Sequence, residues 1–141
     1  MTPIFEGPVT ESSPQAHTWR VLVVDDDQVV LDLVRLKVQR QCEAVEVVAL
    51  TDASRVSALL AYEQFDAVIT DWDMSPVGGE SVLRSAREAS PCMPLAVLTG
   101  GDVTRVQQCA GAIRPALFPK TASGVSDLLR WVDDTRRHGT P

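Results

Sequence analysis

The sequence predicts an α/β protein, a doubly wound parallel sheet of five strands with helices on both faces. Three observations predict it. Short apolar runs alternate with helix-like stretches five times between residues 18 and 136. The runs are apolar throughout rather than at every second residue, as expected of strands covered on both faces. Each run is followed by polar residues, the pattern of strands that all end at one rim, where such sheets bind ligands.

The first strand is Arg20–Val24, and a helix follows over about 28–40 with Val30, Leu31, Val34 and Val38 on one face. Val45–Leu50 is the second strand. The helix after it begins at Asp52 and buries Val56, Leu59 and Leu60. Ala67–Thr70 is the third strand, followed by a helix over Glu80–Ala89 that buries Val82, Leu83 and Ala86. Leu95–Leu98 is the fourth strand, leading to a short helix from Asp102. The fifth is about Ala116–Phe118. The last helix spans about 124–135, with Val125, Leu128, Leu129 and Val132 at i, i+3, i+4 and i+7. Residues 1–17, rich in Pro, Ser, Thr and Glu, read as a flexible tail, and residues 137–141 as a second one.

Composition narrows the function. The chain has 141 residues, 45% of them hydrophobic and 23% charged, suited to one globular domain. A formal net charge of −6 offers no basic face to nucleic acid. Cys42, Cys92 and Cys109 form neither a zinc-ligand pair nor a disulfide framework, so a reduced, cytoplasmic setting is expected. The N-terminus lacks the basic and apolar regions of a secretory signal, and no apolar run has the length of a membrane span. His17 and His138 fall in the tails and read as solvated.

The strand ends carry the chemistry. Asp25-Asp26-Asp27 follows the first strand, Asp71 the third, Thr99-Gly100-Gly101 the fourth, and Lys120 the fifth. Two unit charges in contact repel by about 4 kcal/mol at an effective dielectric near 20. Crowded acids must either splay into water, as a solvated turn, or gather around a cation, and an all-oxygen donor set suits Mg2+. Carboxylates, a hydroxyl and a lysine at one rim form a cradle for a transferring phosphoryl group. Asp71 reads as the nucleophile, because a carboxylate can accept phosphate as an acyl phosphate. Asp27 has a second reading, as the cap of the first helix.

Four ordered motifs, VLVVDDD, ITDWDM, VLTGG and FPK, resemble those of the receiver domains of two-component response regulators over about residues 19–135. The resemblance implies a flavodoxin-like fold with strand order 2-1-3-4-5, the order that family is already known for. It implies phosphorylation on Asp71, with Mg2+ held by Asp25, Asp26, Asp71 and the backbone carbonyl of Asp73. Thr99 would then hydrogen-bond the phosphoryl group, and Lys120 would pair with it. It further implies a phosphohistidine donor, on a sensor histidine kinase or a phosphotransfer protein, and an unidentified protein target. Two copies could also pair through the fourth helix, fifth strand and last helix; Arg130 and Trp131 read first as surface cover on that helix and second as part of such a docking face. Trp72, beside Asp71, would report metal binding by its emission.

The sequence departs from that family's pattern at four places. Ser75 stands where Pro is common, with Pro76 one residue later. Gly78-Gly79 replaces the usual Asp-Gly, which suggests a looser loop. Thr121 replaces the Pro after the lysine, so that bond should be trans. Leu117 occupies the position of the aromatic switch residue, and Phe118 should face the opposite way. Two other functions follow from these residues. A receiver-shaped interaction module independent of phosphate would fit Leu117 and Thr121. A haloacid-dehalogenase-type phosphatase would use Asp71-Trp72-Asp73 as its opening motif and Asp133-Asp134 as its closing acids. Placing Asp71 in mid-chain counts against that enzyme, and no dedicated multiple-turnover activity is expected.

Overall fold

A computed structural model of the chain describes residues 18–138. The expected N-terminal tail, with His17, lies outside the described residues. The strands are β1 (Trp19–Val24), β2 (Val45–Leu50), β3 (Ala67–Thr70), β4 (Leu95–Thr99) and β5 (Ala116–Pro119). All their pairings are parallel, in the order β2-β1-β3-β4-β5. The helices are α1 (Gln28–Gln41), α2 (Val56–Tyr62), α3 (Gly79–Ala89), α4 (Val103–Ala110) and α5 (Ala122–His138).

Alternation along the buried strands separates two cores. Val21 and Val23 of β1 pack with Leu31 and Val34 of α1 and with Leu128 and Val132 of α5. Leu22 and Val24 face the other way, toward Val56 of α2, Leu83 of α3 and Val106 of α4. Each strand thus feeds two helical layers, which is why its apolar run is unbroken.

The boundaries differ from expectation where hydrophobicity carries no signal. A 3₁₀ turn over Ala53–Arg55 precedes α2, so the helix proper begins at Val56, while Asp52 caps the turn through the Ser54 N–H. The expected tail over 137–141 is corrected at its start, since α5 continues through Arg137 and His138. Asp133 pairs with Arg136 and Arg137 at i+3 and i+4, and basic residues suit the negative end of the helix dipole. His138 is exposed, as its solvated reading required.

Two glycines are close-approach positions rather than loose ones. A Cβ at Gly79 would collide with the Asp71 carbonyl, and the Gly79 N–H donates to the Trp72 carbonyl at 2.9 Å. Gly79 therefore seats the start of α3 against the end of β3, a tighter contact than the glycine pair suggests. A Cβ at Gly124 would collide with the Pro119 carbonyl oxygen. In an exposed helix Gly→Ala commonly gains up to about 1 kcal/mol. Gly124→Ala should instead lose about 1–3 kcal/mol, because α5 must lift off the end of β5. Urea denaturation checks this, and an unchanged midpoint would show that the approach is not obligatory.

Candidate functional site

Backbone pairing aligns the strand ends before any side chain acts. Asp25 N–H donates to the Leu50 carbonyl at 3.1 Å, and Asp71 N–H to the Val24 carbonyl at 2.8 Å. Lys120 N–H donates to the Thr99 carbonyl at 2.8 Å. Residues far apart in sequence are thereby carried to one rim.

The three consecutive aspartates divide their tasks. Asp25 is buried, and its Oδ1 accepts the Asp27 N–H at 2.9 Å. Asp26 is exposed at the rim. Asp27 caps α1, accepting the Val29 N–H at 3.0 Å. Of the expected ligands, Asp25, Asp26 and Asp71 offer carboxylate oxygens that lie within 4.8 Å of one another. That all-oxygen set fits a hard divalent cation.

Lys120 binds the two buried acids together. Its Nζ lies 2.8 Å from Asp25 Oδ2 and 3.2 Å from Asp71 Oδ2. Burial, then the charge of Asp25, pushes the Asp71 carboxyl above the ordinary carboxylate range, and Lys120 and the Trp72 N–H only partly offset this. Burial opposes the Lys120 ammonium, but hydrogen bonding and charge from Asp25, then Asp71, outweigh it and raise its pKa. One cation is therefore shared between two anions, and the metal-free cluster is short of positive charge.

Thr99 is fully buried at the end of β4, and its Oγ1 accepts the Gly101 N–H at 3.0 Å. That bond fixes the oxygen and leaves the hydroxyl proton to donate. Trp72 gives its backbone N–H to Asp71 Oδ1 at 2.8 Å while its indole is buried in the core beneath α3. Magnesium at the acids should therefore shift Trp72 emission. A titration leaving the spectrum flat in wild type would count against metal binding beside Asp71.

Other expected residues fall elsewhere. The Asp73 side chain is exposed and turned to α4, where Oδ1 lies 3.0 Å from Arg105 Nη2. Nothing in the sequence marked Arg105, one exposed cation on an amphipathic helix. Asp133 is engaged with arginines on α5 and does not join Asp71 in the acid cluster. Leu117 packs beside the α4 core, whereas Phe118 lies on the other face, its ring 6.3 Å from that of Trp131. Among the described residues the cis peptide bond is Ser75–Pro76, so the bond before Thr121 is trans.

Comparison with known proteins agrees with this fold. The family model described as the response regulator receiver domain matches residues 21–114. The transcriptional regulatory protein CutR of Streptomyces coelicolor is 34% identical over 86 residues, covering 60% of this chain. The alignment spans only 39% of that relative's length. A CheY-like receiver domain protein from Methanospirillum hungatei superimposes with a TM-score of 0.74 at 24% identity, covering 86% of this chain and 99% of the other. The receiver domain of the Francisella response regulator 1452 gives 0.71 at 20% identity, covering 85% and 98% respectively. These structures share the fold. No helix among the described residues is long and apolar enough to cross a membrane. Receiver domains are signalling units that bind Mg2+ at an acidic cluster and work with histidine kinases or phosphotransfer proteins. With the family model covering well over half of its length, the chain belongs to the response regulator receiver domain family.

Proposed function

We propose that this chain is a phosphoryl-accepting switch of a cytoplasmic two-component relay, phosphorylated on Asp71 with Mg2+ and signalling through a partner protein. The observation that carries this is the meeting of Asp25, Asp71 and Lys120 within hydrogen-bond distance at one rim. In the transfer, an Asp71 carboxylate oxygen attacks the phosphorus of a phosphohistidine. The phosphorus–nitrogen bond breaks, and its electron pair leaves with the imidazole. The product is an acyl phosphate on Asp71, with Lys120 pairing the new anion and Thr99 donating its hydroxyl proton to it. Asp25, Asp26, Asp71 and the Asp73 carbonyl would hold Mg2+, which when bound offsets the charge of the acids and of the phosphoryl oxygens.

The donor's approach is also suggested by the surface. Val29, Leu33 and Leu36 on α1 are 73%, 41% and 45% exposed, an apolar stripe at i, i+4 and i+7. Leu33 also lines a groove that reaches Lys120 and Val125, so the stripe runs up to the rim. A helical protein carrying the phosphohistidine fits such a face.

Phosphate chemistry tests the reading. A small acyl-phosphate donor with Mg2+ should load one hydroxylamine-sensitive phosphate per chain and support no multiple turnover of phosphate esters. Sustained ester hydrolysis would instead indicate a phosphatase. Leu117 favours a second reading, a phosphate-independent interaction module, which predicts equal partner affinity for wild type and Asp71→Asn, with or without a phosphate mimic.

A further inference from the structure

Leu117 is aliphatic and Phe118 faces α5, so β5 presents no aromatic ring between the rim and α4. A different link crosses that gap. Arg105 of α4 and Asp73, two residues after the acceptor, form an ion pair at 3.0 Å. The other Asp73 oxygen lies 3.1 Å from where a Cβ of Gly101 would stand, so the absence of a side chain there leaves room for it. Gly101 in turn donates to Thr99 Oγ1. Acceptor loop, hydroxyl and the start of α4 are thus neighbours in one series, with an ion pair at Arg105 and a hydrogen bond at Thr99.

The helix at the end of this series is lightly anchored. It has eight residues, is capped by Asp102, and buries Val106 and Ala110. Exposed ion pairs are weak, and a weak tie is one that a nearby change of charge can move.

We infer that Arg105 carries the phosphorylation signal to α4, as a positioning residue that acts through Asp73 in place of an aromatic switch. This rests on the reading of Asp71 as the phosphoacceptor. A phosphoryl group adds a charge of about −1.5 to −2 at neutral pH. Arriving two residues before Asp73, it repels that carboxylate outward. Arg105, tied to it through a guanidinium suited to carboxylates, draws the start of α4 along. The result is a shift in the population of α4 positions, set by the differential charge at the rim.

The test uses the full chain with Cys92→Ser, which leaves Cys109 on α4 as the exposed thiol while Cys42 stays buried. The rate of Cys109 modification is measured with and without Mg2+ and a small acyl-phosphate donor. Intact mass on the same samples reports how much phosphate each carries. Phosphorylation should change the rate by about fivefold. Arg105→Gln should still take up one phosphate yet lose the change, and Arg105→Lys should recover part of it. Asp73→Asn should show the same loss, and the double variant no more than either single one. A phosphate-loaded Arg105→Gln chain that responds in full would overturn the inference, as would a loaded Arg105 chain with no response. Failure of the Arg105 chain to load phosphate would overturn the reading of Asp71, and this inference with it.

Discussion

Asp71→Asn is expected to raise the stability of the metal-free protein at neutral pH by roughly 1–3 kcal/mol, several degrees in Tm. Burial and the neighbouring Asp25 charge both penalise the Asp71 carboxylate, and Lys120 repays only part of that cost. Asn keeps the shape and removes the charge. Because the native carboxyl is raised, the folded state binds its proton more tightly than the unfolded chain does. Stability is then fully present below the ordinary carboxylate range and falls as pH rises through the raised native value. The gap between wild type and Asp71→Asn should therefore open across that window and stay constant above it. Millimolar Mg2+ should narrow it, since a ligand bound only to the folded wild type stabilises that state. Thermal melts at several pH values check both points. An Asn variant less stable than wild type at neutral pH would mean that the acid cluster is balanced without a metal.

Lys120→Met is expected to act in the opposite direction, costing about 1–3 kcal/mol at neutral pH without metal. Its ammonium touches both buried acids, so its loss leaves Asp25 and Asp71 facing each other uncompensated. The lysine side chain is 23% exposed, which keeps the figure below that of a fully buried pair. The raised Lys120 pKa means that its contribution is complete below the ordinary lysine value and lost as pH rises through the native one. In acid the difference should also shrink, as the raised Asp71 carboxyl takes up its proton and the lysine no longer faces that charge. Urea denaturation at acid, neutral and alkaline pH would show a loss greatest in the middle. A loss independent of pH would point to packing of the lysine stem instead of charge.

How far the sequence disclosed this site depends on what kind of signal each residue leaves. Strand ends were legible because continuous apolar runs stop at polar residues, which placed Asp25, Asp71, Thr99 and Lys120 at one rim. The capping role of Asp27 was legible from preference for acids before a helix. Strand order was not contained in periodicity and came only with the family resemblance. The end of α5 was missed because Arg136, Arg137 and His138 continue the helix through charge pairing, without apolar spacing. The ion pair of Asp73 with Arg105 was illegible, since exposed residues 32 positions apart share no pattern. Gly79 reads as part of a loose loop, since a sequence carries no mark of the backbone pressed against it.

The central claim is that the gathered acids accept phosphate on one of their number. Intact-mass measurement after incubation with a small acyl-phosphate donor and Mg2+ tests it most directly. One added phosphate on wild type and none on Asp71→Asn is the result expected here. Equal loading of both chains, or none on a wild type shown to be folded, would contradict it.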